Sequence, residues 1–245
     1  MDWQKEFEKI ASDNLHGASW LLRQAAEVLR HVPAKQRPLA IKMLPTLQPW
    51  MASFYNLSHA LQNSDDFEEA LDRVFFDEER QREKIVQKAA GMMRGKKILT
   101  HSFSSMVYEA LLLARDVEVI ATRSAPLMEG ERMAERLLQK DIRVVVIEDG
   151  AAGYVMEDVD MVFFGADGIG DFGLVHKIGS FPIALAAKYC GKPLYALATG
   201  SKFWPKGFTL PPQPKKDPTE VSSLPALNYY FDVTPHGYFT ALTSS

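Results

Sequence analysis

The strongest constraint on the fold is a regular alternation of strand-like and helix-like segments that begins near residue 96. The strand-like runs are short, apolar and rich in branched side chains, as expected for strands that are buried on both faces. Helical periodicity occupies the stretches between them. This alternation predicts an α/β fold with a parallel sheet and helices on both of its faces. The strand-like runs are residues 97–102, 117–122, 142–147, 159–164 and 193–198, and the helical ones are 105–114, 130–139 and 180–189.

The chain before this alternation shows helical periodicity and no strand pattern, because apolar residues recur there at spacings of three and four. A polar cluster at residues 63–66 is a helix-start signal, and the long helix that follows runs to about Met93. Its charged middle, residues 77–84, is either a solvated face or the exposed part of a helix that bridges two domains. We expect a helical N-terminal domain at 1–95 and an α/β domain at 96–245.

Charge and composition argue against several classes of partner. The net charge is −3 and charges of both signs are interspersed, so the chain lacks the broad basic surface that nucleic acids require. No stretch approaches the roughly 18 uninterrupted apolar residues of a membrane span. We therefore expect a cytoplasmic protein without a nucleic-acid or membrane partner. A single cysteine, Cys190, and histidines without metal-ligand spacing lead us to predict no metal site.

Polar residues follow several of the predicted strands. Asp167 follows the fourth run directly, and Ser102, Arg123 and Asp149 lie at the ends of the first three. Because parallel strands end at the same edge of a sheet, these residues would share one cleft, which is what a small polar substrate requires. Asp167 is either a catalytic or ligand-binding carboxylate or an ordinary turn residue before glycine.

The glycine-rich segment at residues 168–173 matches the G-x-G-x-x-G pattern of dinucleotide-binding proteins. That motif requires a helix that begins within the glycines and an acidic residue about twenty positions later. Neither is present. Residues 174–179 separate the glycines from the predicted helix, and residues 181–200 contain no Asp or Glu. We therefore expect no nucleotide cofactor, and interpret the glycines as a loop lying close to a ligand or to a neighbouring backbone.

Two segments are candidate anion sites. Lys177 and Gly179 precede a predicted helix with Ser180 as its cap, and free amides at a helix start attract phosphate or carboxylate groups. An ordinary capped helix explains the same residues. His101 and Ser102 close the first strand next to further hydroxyls. His101 is either a ligand-binding side chain or a packed core histidine.

The order of several motifs resembles the initiation-factor-2B-related family. That family joins the alpha, beta and delta regulatory subunits of the eukaryotic exchange factor to isomerases acting on methylthioribose 1-phosphate and ribose 1,5-bisphosphate. The likeness covers nearly the whole chain. The motifs are DNLHGAS at 13–19, ILTHS at 98–102, PLMEG at 126–130, DGAAGY at 149–154, GAD at 165–167, KIG at 177–179 and NYYFDVTP at 228–235.

The resemblance implies a helical N-terminal domain, a Rossmann-like C-terminal domain, a homodimer and an active site between the domains. In the family's isomerases a cysteine after Thr-His and the aspartate of Gly-Ala-Asp perform the chemistry, and an Asn-Lys pair holds the substrate. Asp167 and Lys177 match this pattern, whereas Ser102 stands at the cysteine position and His176 at the asparagine. Arg123 begins a segment that departs from the family's Glu-Thr-Arg-Pro.

Two hypotheses follow. In the first, the protein is a sugar-phosphate isomerase that converts an aldose 1-phosphate into a ketose 1-phosphate. Asp167 is then the general acid and base, Lys177 and the helix amides bind phosphate, and Ser102 with His101 positions a sugar oxygen. In the second, the protein is a non-catalytic regulatory subunit that binds a sugar phosphate or nucleotide together with a protein partner. The missing cysteine favours the second hypothesis, and the retained Asp167 favours the first.

Overall fold

The computed structural model of the protein describes residues 2–244. Its first part is helical, and the apolar faces of its helices form one core around Phe7, Leu29 and Phe54. Asp66 caps the long fifth helix by accepting a hydrogen bond from the amide of Glu69 at 3.0 Å, as the polar cluster predicts. The helices are α1 (Trp3–Ser12), α2 (Ala18–His31), α3 (Arg37–Leu47), α4 (Ala52–Gln62) and α5 (Phe67–Met93).

Helix α5 connects the helical part to the sheet. Leu71, near its start, is buried in the helical core, whereas Ile85 and Met93, towards its end, are buried in the core beneath the sheet. Its charged middle lies between the two cores, where Glu78 accepts a hydrogen bond from the hydroxyl of Thr199 at 2.8 Å. The charged segment is therefore the bridge between the two parts of the chain.

The second part is built on a six-stranded sheet whose paired strands all run parallel. A second, smaller sheet has three strands. The strands of both sheets are β1 (Lys96–Thr100), β2 (Val117–Thr122), β3 (Arg143–Ile147), β4 (Met161–Phe164), β5 (Gly168–Gly170), β6 (Gly173–Lys177), β7 (Leu194–Leu197), β8 (Phe231–Thr234) and β9 (Thr240–Leu242). The helices among them are α6 (Ser105–Ala114), α7 (Glu129–Leu138), α8 (Ala152–Val155) and α9 (Ser180–Tyr189). The predicted α/β class is confirmed.

The strand order of the large sheet is β3-β2-β1-β4-β7-β9. Followed along the chain, β2 and β3 are added on one side of β1, and β4, β7 and β9 are then added on its other side. The direction of strand addition reverses between β1 and β4, and open α/β sheets bind ligands in the crevice at such a reversal. The loops that follow β1 and β4 are therefore the first place to look for a site.

The glycine-rich segment corrects one expectation. It is not a loop, because β5 and β6 form an antiparallel hairpin that pairs with β8 in a second, three-stranded sheet. A Cβ atom on Gly168 would lie 2.2 Å from the ring of Trp204, and one on Gly173 would lie 2.2 Å from the carbonyl oxygen of Thr234. The glycines thus allow close contact with the protein's own residues.

The C-terminal segment adds a strand that the sequence pattern does not reveal. Thr240–Leu242 forms β9, the edge strand beside β7. Three residues are too few for their periodicity to be recognised. Among residues 2–244, no helix is both long and apolar enough to cross a membrane.

Candidate active site between the helical part and the sheet

The loops after the central strands leave the sheet side by side. Thr100 is paired with Phe163 and with Ala121, so the chain continues from β1 into Ser102 and from β4 towards Asp167 at the same edge. Thr122 is paired with Ile147, which brings the loops after β2 and β3 to that edge as well. The structure confirms that the four predicted loops share one edge and places two of them, after β1 and β4, at the reversal point.

Asp167 lies where the sheet meets the helical part. Its carbonyl oxygen accepts a hydrogen bond from the amide of Ala52, at the start of α4, at 2.9 Å, and its amide donates to the carbonyl oxygen of Val175 at 3.0 Å. The residue is half-buried. Removal from solvent raises the pKa of its carboxyl from 3.8 to about 6, and this rise is opposed by Lys202. Glu129 raises the pKa further, whereas Lys177 lowers it.

Lys202 is a buried lysine whose charge acts on Asp167. Its turn, Gly200–Lys202, is fixed to the helical part, because Gln81 accepts from the amide of Gly200 at 2.7 Å and Asn56 donates to the carbonyl oxygen of Ser201 at 2.7 Å. Desolvation lowers the pKa of the Lys202 ammonium, and the charges of Asp167 and Glu78 oppose this shift. The carboxyl of Asp167, whose pKa is raised, and the ammonium of Lys202, whose pKa is lowered, therefore act on each other through their charges at the junction.

Lys177 and Glu129 form a buried ion pair. The ammonium of Lys177 lies 2.8 Å from Oε1 of Glu129, and the two side chains are only 4% and 12% exposed. The ammonium also lies 5.1 Å from the centre of the Tyr230 ring, within the range of a cation–π contact. The charge of Lys177 acts on Asp167, but a carboxylate of the protein already shares that charge.

Ser102 and His101 belong to a hydrogen-bonded network at the end of β1. The amide of Ser102 donates to the hydroxyl of Ser124 at 2.7 Å. Ser102 and Ser124 have φ angles of 65° and 64°, a left-handed backbone that is uncommon for residues other than glycine. Such backbone strain clusters at functional sites. Ser102 therefore sits in a loop whose conformation is imposed by its surroundings.

The ring of His101 is fully buried, and both of its nitrogens have partners within the protein. Nε2 is 2.8 Å from the carbonyl oxygen of Ile178, which can only accept, so Nε2 carries the proton. Nδ1 then accepts from the hydroxyl of Thr122 at 2.6 Å. Burial lowers the pKa of His101 to about 4, a shift opposed by the bond to Ile178 and by Asp149 and reinforced by Lys177. Of the two interpretations of His101, the structure supports the packed core histidine.

The start of α9 differs from the expectation of an open anion site. Gly179, with φ at 102°, holds the cap position, and Ser180 is the first helical residue. Asp232 accepts from the amides of Gly179 at 2.9 Å and Phe181 at 3.1 Å. These amides are therefore not free, because a carboxylate of the protein already occupies the position that a phosphate would take.

The hydroxyl of Ser180 also has partners within the protein. It donates to the carbonyl oxygen of Lys177 at 2.6 Å and lies 2.8 Å from Nδ1 of His176. Because that hydroxyl has only one hydrogen, His176 donates from Nδ1 and keeps Nε2 as an acceptor. Burial holds the pKa of His176 well below its usual value, with further lowering by His101 and Lys177, so the ring is neutral.

Arg123 and Asp149 lie at the strand edge but have other contacts. The guanidinium of Arg123 is paired with Glu131 at 2.6 Å and with Glu148 at 2.7 Å, at the partly exposed rim. These two glutamates raise its pKa. Asp149 accepts from the amides of Ser124 at 2.7 Å and Ala125 at 2.8 Å, and so fixes the loop that holds Ser102.

A cavity of about 500 Å³ adjoins this loop. Asp149 and Gly179 both line it, so two of the predicted binding residues face a common space. The remaining lining residues are Ala125, Pro126, Met128, Ile178, Glu220, Val221, Leu227, Asn228 and Tyr229. Within the described part of the chain, no three His, Cys, Asp or Glu side chains are grouped to hold a metal ion.

Comparison with known proteins decides the family. The sequence model of the Initiation factor 2 subunit family matches residues 5–244. The chain belongs to this family.

Curated members of the Initiation factor 2 subunit family align with almost the whole chain. A ribose 1,5-bisphosphate isomerase of Archaeoglobus fulgidus is 32% identical in an alignment that covers 96% of this chain and 85% of the relative. A putative translation initiation factor eIF-2B subunit 2-like protein of Pyrococcus furiosus is 29% identical in an alignment that covers 94% of this chain and 90% of the relative. The chain is therefore similar both to an isomerase and to a protein named after the initiation factor.

Solved structures of the family share the fold. The translation initiation factor eIF-2B of Pyrococcus horikoshii OT3 superposes with a TM-score of 0.88 at 27% identity and covers 99% of this chain and 94% of its own. The 5-methylthioribose 1-phosphate isomerase of the same organism has a TM-score of 0.74 at 22% identity, and the superposition covers 99% of this chain and 83% of that protein's chain. The resemblance proposed from the motifs is confirmed.

Three residues of the candidate site, Lys202, Glu129 and Asp232, were not singled out from the sequence. Lys202 follows the fifth predicted strand, so the rule applied to the other strand ends could have found it. Glu129 and Asp232 lie within two of the quoted motifs but carry no signal of their own. Their roles depend on contacts with Lys177 and with the amides of Gly179 and Phe181, which are distant in sequence.

Proposed function

We propose that the protein binds a small phosphorylated sugar in the cleft between the helical part and the sheet, and converts an aldose 1-phosphate into a ketose 1-phosphate. One observation carries this proposal: Asp167 stands at the reversal point of the sheet, half-buried, with a carboxyl pKa of about 6 on which the charge of Lys202 acts. A group that gives and takes protons near neutral pH is what such an isomerisation needs.

The chemistry assigns Asp167 two successive tasks. Opening the sugar ring places a proton on the ring oxygen, and forming the ketone removes a proton from the hydroxyl on C2 while the hydrogen of C2 moves to C1. A carboxyl that first donates and then accepts a proton ends unchanged, and the substrate keeps its composition. Lys202 favours the charged form of Asp167 between the two steps, because its ammonium lowers the pKa of that carboxyl.

Ser102 and the residues hydrogen-bonded to it position the sugar and do not act as proton donors. A serine hydroxyl is a much weaker proton donor than a thiol, so we assign Ser102 to binding a sugar oxygen. His101 holds the loop through Thr122 and Ile178, which makes it a positioning residue. Lys177 and Lys202 are the cations whose charges act on Asp167. The relationship to a ribose 1,5-bisphosphate isomerase supports the choice of substrate class.

The direct test is turnover followed by phosphorus and proton NMR. The purified protein is mixed in turn with ribose 1-phosphate, 5-methylthioribose 1-phosphate and ribose 1,5-bisphosphate, and ketose formation is measured. We expect one substrate to be converted, and Asp167→Asn to reduce turnover at least a thousandfold while substrate still raises the melting temperature. Asp160→Asn is the matched control, because Asp160 lies before β4, at the opposite end of the strand from Asp167.

Three results would separate the hypotheses. Turnover that survives Asp167→Asn would remove Asp167 from the chemistry. A ligand that stabilises the unmutated protein without being consumed would favour the regulatory alternative. Neither turnover nor stabilisation by any of the three sugars would overturn the proposal entirely.

We also propose that the protein is a homodimer and that the α8–α9 surface forms the contact. Tyr154 and Tyr189 are 91% and 92% exposed there, and Leu185 is partly exposed beside them. They line a groove of about 700 Å³. Exposed aromatic side chains around an apolar groove are typical of interfaces. The eIF2B-beta2-delta2 complex of C. thermophilum, whose fold is shared, is tetrameric. The cytoplasmic location and the domain boundary at residue 95 stay predictions.

A further inference from the structure

The turn that carries Lys202 is held by a side chain of the helical part. The amide group of Asn56, on α4, donates one hydrogen bond to the carbonyl oxygen of Ser201 at 2.7 Å and another to that of Phe203 at 2.9 Å. These two carbonyl groups flank Lys202 in the chain. Because a side-chain amide has only two hydrogens, both donors of Asn56 are used to fix the backbone on either side of this lysine.

The same helix also holds the loop that carries Asp167. The backbone amide of Ala52, the first residue of α4, donates to the carbonyl oxygen of Asp167 at 2.9 Å. Ala52 and Asn56 are four positions apart and therefore lie on one face of the helix. One turn of α4 thus fixes two backbone segments of the sheet part, the one before β5 and the one after β7.

The ammonium of Lys202 is buried without a polar partner of its own. The residue is 3% exposed, and among residues 2–244 no group forms a hydrogen bond or an ion pair with this ammonium. Its charge nevertheless acts on Asp167 and on Glu78. A charge interaction depends on distance and is strong where water is excluded. Since no direct bond holds the ammonium, its distance from Asp167 depends on how the backbone of the turn is held.

Helix α5 holds the beginning of the same turn. Gln81 accepts a hydrogen bond from the amide of Gly200 at 2.7 Å, and Glu78 accepts one from the hydroxyl of Thr199 at 2.8 Å. Both contacts precede Lys202 in the chain, whereas the two bonds of Asn56 lie on either side of it. Asn56 is therefore the side chain best placed to fix the direction in which Lys202 leaves the turn.

We propose that Asn56 is a positioning residue of the reaction: it fixes the backbone on both sides of Lys202 and so sets where the buried ammonium stands relative to Asp167. This inference rests on the proposed function, in which Asp167 transfers the protons. A residue that only joined the two parts of the chain would make the same hydrogen bonds, but its loss would not act through the charge of Lys202.

The test follows the carboxyl of Asp167 by carbon-13 NMR in protein labelled at its aspartate side chains, and Asp167→Asn identifies the signal. Removal from solvent raises the pKa of this carboxyl and Lys202 lowers it, with further contributions from Glu129, which raises it, and Lys177, which lowers it. We expect Asn56→Ala to raise this pKa by about 0.5 or more, because the ammonium is no longer held in place. In a Lys202→Met background, Asn56→Ala should leave the pKa unchanged, since no charge remains to be positioned.

Turnover provides a second readout. The first proton transfer requires protonated Asp167, so kcat/KM should fall as the pH rises above the pKa of its carboxyl. In Asn56→Ala this fall should move to higher pH by the same amount as the pKa. If Asn56→Ala fails to fold, Asn56→Ser takes its place and should act in the same direction, because it keeps a small polar side chain but lacks the two donors.

Asn63→Ala is the matched control. Asn63 follows the last residue of α4, and its side-chain amide donates to the carbonyl oxygen of His59 at 2.7 Å, within the same helix. The variant loses an asparagine hydrogen bond of equal length that does not cross to the sheet part. It should leave both the pKa of Asp167 and the pH profile of turnover unchanged.

The outcomes separate this inference from the function on which it rests. An unchanged or lowered pKa of Asp167 in the Asn56 variant would overturn the role of Asn56, and so would a rise of the same size in the Lys202→Met background. Neither result affects the proposed function, because turnover by the unmutated protein is measured separately. If the unmutated protein converts none of the three sugars, the proposed function fails, and the part of Asn56 in the reaction fails with it even when the carboxyl titrates as expected.

Discussion

The carboxylate of Asp232 accepts a hydrogen bond from the backbone amide of Gly179 at 2.9 Å, at the start of α9. The same oxygen accepts from the amide of Phe181, so one side chain satisfies two donors of the helix. Burial raises the pKa of Asp232 to about 6, and the amides of Phe181, Gly179 and Ser180 oppose that rise. The protein thus supplies its own anion where the sequence suggests a place for a phosphate.

Replacing Asp232 should expose this latent anion site. We expect Asp232→Ala to lower the free energy of unfolding by about 1–2 kcal/mol, because two amides lose their acceptor. Millimolar inorganic phosphate should then raise the melting temperature of the variant more than that of the unmutated protein. Asp160→Ala removes a carboxylate that accepts from the strand amide of Lys97 at 2.8 Å and caps no helix, so it is the control and should not respond to phosphate. An equal response of the unmutated protein and Asp232→Ala would mean that the amides are already available.

The stability of the protein should depend on pH through Asp167. Its folded pKa of about 6 is above the ordinary 3.8, so between these values the folded state binds more protons and stability falls as the pH rises. Asp167→Asn should therefore be more stable than the unmutated protein at pH 7, by about 1–3 kcal/mol. The difference should shrink as the pH falls through 6 and vanish below about 3.8. Urea unfolding over this range checks it, and a difference independent of pH would contradict the assignment.

The two glycines Gly168 and Gly91 should respond in opposite ways to alanine. A Cβ atom on Gly168 would lie 2.2 Å from the ring of Trp204, whereas one on Gly91, in α5, meets nothing within 4 Å. We expect Gly168→Ala to cost about 1–3 kcal/mol through overpacking. Gly91→Ala should add about 0.5–1 kcal/mol, because it improves helix propensity. Chemical unfolding measures both, and a neutral Gly168→Ala would argue against the hairpin packing on Trp204.

The proposed dimer predicts a defined effect of the α8–α9 surface. Sedimentation velocity should show a dimer, and the double change Tyr154→Ser and Tyr189→Ser should weaken association at least tenfold, since buried aromatic side chains dominate interface energies. Phe76→Ser removes a similarly exposed aromatic residue, 68% exposed on α5, and should leave the dimer intact. Dissociation by Phe76→Ser alone would place the interface elsewhere.

The main features of the α/β part could be predicted from the sequence. The period of the apolar residues changes near residue 96, and period is a local property of the chain that directly separates strand from helix. Once the strands are parallel, their carboxyl ends must share an edge. That constraint brings the loops of Ser102, Arg123, Asp149 and Asp167 together, as the strand register shows.

Only the tertiary structure decided which charges meet in the site. Lys177 and Glu129 are 48 positions apart, and Asp232 reaches Gly179 across 53, so no local pattern specifies either contact. The β5–β6 hairpin likewise depends on Trp204, which lies beyond the next helix and strand. The sequence by itself determined five of the six strands of the large sheet and the placing of Asp167 at its edge, because these follow from local periodicity. The pairing of Lys177 with Glu129, and of the helix amides with Asp232, follows from the packing of distant segments, which brings these carboxylates within hydrogen-bonding distance.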